Sequence, residues 1–370
     1  MTLVCEQQVL VVLEAEALIK EARRRQHRRW FALGALVVVV AATVGVVAAR
    51  NGGGRPALRP TARVSPSTTA ELFGRSVAVP SQFIAAGWPV QNMPAGQLSW
   101  GRELVLMATK DGRVQRVLAR GLLTTGGSAG STVYFVRNSP NGVSDIAKVS
   151  TAGGPVGTVA VGALPTPSPN GRFLAYVSHS TDLEVRDLVT DATTSMALSS
   201  LMPGVHGLIV VGLAWLSPGD RLALIVRSVL NAEAGARLEV VGVRAGHLAG
   251  TGTRRLGPGE TWIFLARSSQ PNTLRAAWIP TRGTSTAIHV VRISLSGGRA
   301  TIANIAALPG VCGAGALDDV DPSGRYVLCS VGSSGSTSFA HIDLVRFEHG
   351  RYVVAASTGA DRFVITSASW

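Results

Sequence analysis

One pattern recurs through the carboxyl-terminal two thirds of the chain and leaves few folds open to it. A tight turn of Pro, Gly, Asn, Asp or Ser precedes a run of alternating apolar residues: SPNGRFLAYVS at 168–178, LSPGDRLALIV at 216–226 and DPSGRYVLCSV at 321–331. Such turn residues preset a reversal, and the alternation has the period of a β-strand. A tryptophan marks the stretch upstream, at Trp100, Trp215, Trp278 and the terminal Trp370. Downstream, a mostly apolar strand closes each unit: DIAKV at 145–149, LEVR at 183–186, LEVV at 238–241, IHVV at 288–291 and IDLV at 342–345. Successive copies lie about 40 to 55 residues apart, with no room for an amphipathic helix of ordinary length between them. Strand-only repeats of this size cannot bury their faces singly. Radial stacking around an axis solves this and leaves few open edges.

The S-P-x-G-x-x-[LI]-A-[FY] run with a tryptophan upstream resembles the WD40-like repeats of the TolB-type β-propellers. Ser168-Pro169-Asn170-Gly171 with Leu174-Ala175-Tyr176 fits it best. Ser217-Pro218-Gly219-Asp220 permutes the turn, and Asp321-Pro322-Ser323-Gly324 shifts it. The resemblance covers residues 97–370 and implies an all-β, six-bladed β-propeller, with slots near Trp100, Val133, Phe173, Trp215, Trp278 and Tyr326. A seven-bladed ring using residues 76–91 is the alternative. Trp370 falls where a further unit would begin, so the last strand is expected to close the ring against residues near 75–100.

Ahead of the repeats lies a stretch of different character. Residues 30–49, WFALGALVVVVAATVGVVAA, begin at Trp30, end at Ala49 and contain neither charge nor proline. As a helix they would reach about 30 Å, the thickness of a bilayer's hydrocarbon core. Lys20, Arg23, Arg24, Arg25, Arg28 and Arg29 precede the span, against one acid, Glu21; only Arg50, Arg55 and Arg59 follow closely. Positively charged flanks stay cytoplasmic, so the amino end is expected inside and the large domain outside. A cleaved signal peptide is the competing reading, since Val47-Ala48-Ala49 resembles a small-residue cleavage site. Its n-region and apolar core would both be too long. Residues 1–29 read as a basic, helical tail on the inner leaflet, and 50–72 as a flexible Gly/Pro/Ser-rich linker. The domain proper is expected over 73–370. Ala41, Gly45 and Ala49 form a small-residue stripe that offers a route to a weak homodimer through the transmembrane helix.

The net charge of +13 suggests nucleic acid until it is divided by region. Seven basic and four acidic residues precede position 51, and 28 and 18 follow it, with no basic run outside the juxtamembrane segment. Nucleic-acid binding is therefore not expected. Three lysines among 35 basic residues, with abundant Ala, Gly and Val, point to a GC-rich bacterial genome. Cys5 falls on the reducing side of the membrane. Cys312 and Cys329 fall outside and are candidates for a disulfide. A hairpin centred on Pro322-Ser323 sets Cys329 opposite Ala316, so Cys312 reaches it only if a bulge or loop folds back.

Three signals imitate catalysis. Gly126-Gly127-Ser128-Ala129-Gly130 satisfies G-x-S-x-G, but a nucleophile elbow needs a strand-to-helix turn and no helix follows, so a Gly-rich loop is expected. Asp318, Asp319 and Asp321 lack the spaced set of oxygen ligands Ca²⁺ requires and read as a solvated turn. The seven histidines occur singly; His289 and His341 read as packing or surface residues. No catalytic, cofactor-binding or metal-binding residue is assigned, and no cofactor is expected. The resulting expectation is a bacterial single-pass membrane protein whose extracytoplasmic propeller binds an envelope protein or polymer. Residues 228–236 and 249–272, read as long polar insertions, would form the binding face. A lactonase- or glycosidase-like propeller hydrolase, or a transmembrane sensor acting through the cytoplasmic tail, are the alternatives.

Overall fold

The structure, a computed structural model, describes Phe73 and residues 80–370, except 90–100, 139–143, 218, 231–234, 245–246, 258–259, 281–286, 297–298, 311, 313–316, 333–338 and 359–362. The chain divides into two units, Met1–Ser65 and Pro66–Trp370, and every described residue belongs to the second. The apolar span, its arginine flank and the linker expected over 50–72 lie outside the described residues. Among the described residues no helix is long and apolar enough to cross a membrane.

The strands run in chain order as β1 (Gln82–Pro89), β2 (Gly101–Ala108), β3 (Val114–Ala129), β4 (Thr132–Asn138), β5 (Ser144–Ser150) and β6 (Gly157–Val161). They continue as β7 (Ala163–Pro167), β8 (Phe173–Ser178), β9 (Asp182–Asp187), β10 (Thr193–Ala197), the one-turn helix α1 (Leu198–Leu201), β11 (Leu208–Leu216), β12 (Arg221–Ser228), β13 (Ala236–Arg244) and β14 (His247–Arg255). The last are β15 (Glu260–Arg267), β16 (Thr273–Pro280), β17 (His289–Ser296), β18 (Arg299–Ala307), β19 (Leu317–Val320), β20 (Tyr326–Gly332), β21 (Phe339–Glu348), β22 (Arg351–Thr358) and β23 (Phe363–Ser369). Four antiparallel sheets hold four consecutive strands each: β7 to β10, β11 to β14, β15 to β18 and β19 to β22. A fifth sheet holds seven, in the order β23-β1-β2-β3-β4-β5-β6. Its long strand β3 is shared. Val114 to Leu123 pair with β2, and Leu122 to Ala129 pair with β4, so β3 ends one four-stranded set and begins the next.

Packing explains the sequence pattern. The second and third strands of a set are covered on both faces, so β12, RLALIVRS, is buried at Leu222 through Val226 without a break. Outermost strands are covered on one face only, and β10, TTSMA, alternates exposed and half-buried residues. Among the described residues, buried apolar side chains gather in six clusters, each between two consecutive sets. Phe135 and Val149 meet Leu104 and Leu106 in one; Ala276 and Val291 meet Leu216 and Ile225 in another. The cluster holding Tyr326, Leu328 and Leu344 also holds Phe83, Val105, Ile365 and Ala368, so the end of the domain packs on its beginning. The innermost strands touch in cyclic order, β23 to β3, β7, β11, β15, β19 and back to β23. As expected, the last strand closes on the first described one: β23 pairs antiparallel with β1, from Ile84 opposite Ser369 to Pro89 opposite Phe363.

The turns carry the repeat. In Ser168-Pro169-Asn170-Gly171, the Ser168 hydroxyl oxygen accepts the N–H of Phe173 at 2.8 Å, Gly171 N–H donates to Ser168 O at 2.9 Å, and Gly171 adopts φ 69°. In Asp321-Pro322-Ser323-Gly324, the Asp321 carboxylate accepts Tyr326 N–H at 2.8 Å, Gly324 N–H donates to Asp321 O at 2.8 Å, and Gly324 adopts φ 78°. The second motif, expected to be a shifted version, is the same turn. Ser and Asp both supply a short acceptor at its first position, and glycine takes the left-handed fourth position. The set β15 to β18 uses a turn the sequence reading passed over, residues 268–272, where Asn272 takes the left-handed conformation at φ 53°.

Other expectations need correction. Trp278 is not upstream of its unit; it lies on the second strand β16, stacked on His289 with centroids 4.4 Å apart. The strand after Trp100 is β2, the third of its set, and its second strand is β1. Residues 82–89, within the stretch 76–91 that the seven-bladed alternative would use, join the sheet of β2. The strands at 145–149, 183–186, 238–241, 288–291 and 342–345 fall on third strands but do not close their units. A fourth strand follows each, and in β14, HLAGTGTRR, it is small-residued and polar because only one of its faces is covered. Residues 249–272 are accordingly not an insertion: they contain most of β14 and all of β15.

Cys312 and Cys329 are joined, with Cα atoms 5.5 Å apart, inside the range a disulfide spans. A bulge between Leu317 and Asp319 sets Cys329 opposite Leu317, and Pro309 O accepts Cys312 N–H at 2.9 Å in a turn that folds the chain back. A link across 17 residues stabilises by about 3 kcal/mol through the unfolded chain. Thermal unfolding of non-reduced protein is expected to shift down by several degrees with dithiothreitol, and Cys329→Ser should show no further shift.

Candidate functional site

The innermost strands surround the axis, so a group acting there must come from β3, β7, β11, β15, β19 or β23. The acids on those segments are Glu260, at the first position of β15, and Asp318 and Asp319 on β19. Neither aspartate belongs to the solvated turn expected of it. One Asp318 oxygen accepts the Ser330 hydroxyl at 2.5 Å, and the other accepts Ala368 N–H at 3.1 Å. Asp319 accepts Val320 N–H and Trp370 N–H, each at 2.8 Å. Asp321 is 1% exposed and holds its own turn. The three carboxylates thus serve separate backbone groups, and two of them clasp the closing strand. From the other side, the Ser367 hydroxyl accepts Thr125 N–H and meets Thr124 Oγ1, both at 3.1 Å; the Ser128 hydroxyl donates to Trp370 O at 3.0 Å.

Burial pushes both Asp318 and Asp319 up to about 7. An acid raised in the folded state keeps a proton that the unfolded chain has already lost between about pH 4 and about pH 7, so stability falls as pH rises through that window. The melting temperature is expected to fall from pH 5 to pH 7.5. Asp319→Asn, which keeps the Trp370 acceptor but cannot ionise, should flatten that slope; an unchanged slope would contradict the assignment.

The G-x-S-x-G segment is strand, not loop: residues 126–129 end β3 and Gly130 opens the turn to β4 at φ 57°. Its glycines answer to packing. A Cβ on Gly126 would stand 2.5 Å from Pro165 Cγ and 2.6 Å from Tyr134 O, and one on Gly127 would stand 2.6 Å from Pro167 Cδ. Side-chain-free backbone lets β3 lie against β7. His289 packs on Trp278, and His341 falls within β21. Among the described residues no group of three His, Cys, Asp or Glu is placed to hold a metal ion.

The sequence reading also passed over Arg275, which is 0% exposed on β16. Its Nη2 donates to Ser323 O at 2.9 Å, and its guanidinium stands 5.8 Å from the Phe73 ring. Burial lowers it to about 10. An arginine inside the apolar run TLRAAW was the available signal.

The two edges of the ring differ. In antiparallel sets, first-to-second and third-to-fourth connections lie on one face, and second-to-third and set-to-set connections on the other. On the first face no two successive described strands are more than six residues apart in sequence. On the second, five pairs of successive strands are separated in sequence by seven to eleven residues, at 90–100, 198–207, 229–235, 281–288 and 308–316. The expected binding loop at 228–236 belongs to this longer-looped face. There Val229 and Leu230 are 59% and 76% exposed, and Leu230 packs over Gly207 of the neighbouring connection.

No protein-family profile matches the sequence, and no curated protein does. Among solved structures, TolB from Acinetobacter baumannii is similar with a TM-score of 0.52 at 11% identity, over 78% of this chain and 65% of that one. The match thus spans slightly less than two thirds of that protein. The β-propeller domain of Cps50 (Swd1) from Myceliophteria thermophila is similar at a TM-score of 0.48 and 11% identity, over 76% of this chain and 96% of that domain. At 11% identity the likeness to TolB speaks for the fold alone: an all-β chain of four-stranded antiparallel sheets, consistent with a β-propeller.

Proposed function

We propose that this chain is a single-pass bacterial membrane protein whose amino end is cytoplasmic and whose extracytoplasmic six-bladed β-propeller binds an envelope protein or polymer without catalysing a reaction. The described strand ends flanking the five longest separations all fall on one face, and this carries the reading, because long loops on a rigid scaffold are where binding residues concentrate. The cyclic contacts of the innermost strands and the six inter-set clusters support a count of six blades. Asp318 and Asp319 favour binding over hydrolysis, since both are engaged in holding the closing strand. The uncharged span at 30–49 and its upstream arginines support the anchor and its orientation.

Photo-crosslinking in intact cells tests the binding face. A crosslinker at Leu230 is expected to give a discrete adduct, whereas one at Val189, 78% exposed on the opposite face, is not. Identical patterns at the two positions, or none at either, would remove the long-looped face from the account. Mass spectrometry of the adduct separates protein from polymer.

A further inference from the structure

A cavity of about 250 Å³ opens between the fourth and fifth sets. Its aliphatic wall is Leu238 and Val240 of β13 with Leu295 and Ala300 from β17 and β18. Two arginines line it, Arg221 at the start of β12 and Arg254 near the end of β14, together with Thr251, Thr253, Ser296 and Asn272. No carboxylate does. Arg221 pairs with Asp220, whose carboxylate is 4.0 Å from its Nε and 70% exposed.

The site is pre-shaped. Asn272 is fixed from two directions, by its left-handed φ of 53° and by its carbonyl, which accepts Leu295 N–H at 2.8 Å. Its side-chain oxygen accepts Arg221 Nη2, so a turn of one set aims an arginine of its neighbour. A bulge pairs Val240 with Gly252 and Val241 with Gly250, leaving Thr251 as the extra residue beside the cavity. Arg254 stands opposite Leu238 in the register, half-buried, with no hydrogen-bond or ion-pair partner among the described residues. Two guanidiniums, that of Arg254 without an acid partner among the described residues, set above an aliphatic wall, favour a ligand with an anionic head and an apolar body.

We propose that this cavity binds a small organic anion, its carboxylate or phosphate head between Arg221 and Arg254 and its short aliphatic body against Leu238, Val240, Leu295 and Ala300. None of the cavity's lining residues belongs to the proposed docking loop at 228–236, so the two proposals stand independently. Equilibrium dialysis of the purified full-length chain against labelled hexanoate is expected to give saturable binding at one site. Arg254→Gln should weaken it at least tenfold, and Ala300→Phe, which fills the cavity without touching charge, should abolish it. Both variants should melt as the parent does. Acetate and inorganic phosphate should compete at least tenfold less well than hexanoate, and hexanol should not compete. No saturable hexanoate binding, binding indifferent to both substitutions, or phosphate competing as well as hexanoate would each overturn the proposal.

Discussion

A chain ending at residue 362 is expected to lose cooperative folding altogether. β23 supplies the innermost strand of the first set, and without it β1 presents an open edge from Ile84 to Pro89. Such edges template aggregation. The loss extends sideways: Ile365 and Ala368 leave the cluster of Phe83, Val105, Tyr326 and Leu328. Asp318 and Asp319 lose the N–H groups of Ala368 and Trp370, and Ser367 leaves Thr124 and Thr125. Unpairing a six-residue ladder, opening an apolar cluster and stranding two carboxylates together exceed the roughly 5–15 kcal/mol that holds a typical domain. Circular dichroism during heating is the check. A truncated chain that melts in one sharp transition near the parent's temperature would mean that the ring does not depend on this closure.

The second large effect is expected at Gly126. Gly126→Val should destabilise by about 3 kcal/mol or more, the scale of overpacking where nothing can yield. The obstructing atoms are a proline ring and a backbone carbonyl of β4, neither able to swing away. Ser128→Ala, two residues on, removes one hydroxyl bond to Trp370 O and should cost about 1 kcal/mol. Urea unfolding of the two variants distinguishes this from a nucleophile motif, for which the serine would matter most to function and the glycine little to stability.

The legible parts of this fold are those where local chemistry and burial agree. Ser168-Pro169-Asn170-Gly171 announces a turn because each residue suits its backbone position, and RLALIV announces a strand because both its faces are covered. Fourth strands such as HLAGTGTRR were lost because their outer face meets water, so their composition is that of a loop. β3 hid a different difficulty: one uninterrupted strand serves two sets, and no turn signal separates its halves. Asp318 and Asp319 read as solvated because their partners, Ala368 and Trp370, lie about fifty residues away and offer only backbone N–H groups. Arg221 and Arg254 were lost among the scattered arginines for the same reason, since only the packing of two sets brings them to one cavity.

The account turns on a propeller displayed outside the membrane by an uncleaved, arginine-flanked span. Labelling with a membrane-impermeant maleimide tests that most directly, using Val189→Cys in a Cys5→Ser background and native Cys5 as the internal reporter in the parent. The account predicts labelling at position 189 in intact cells, labelling of Cys5 only after permeabilisation, and a full-length product in both. Labelling of Cys5 in intact cells, protection of position 189, or a membrane fraction lacking the amino-terminal residues would contradict it.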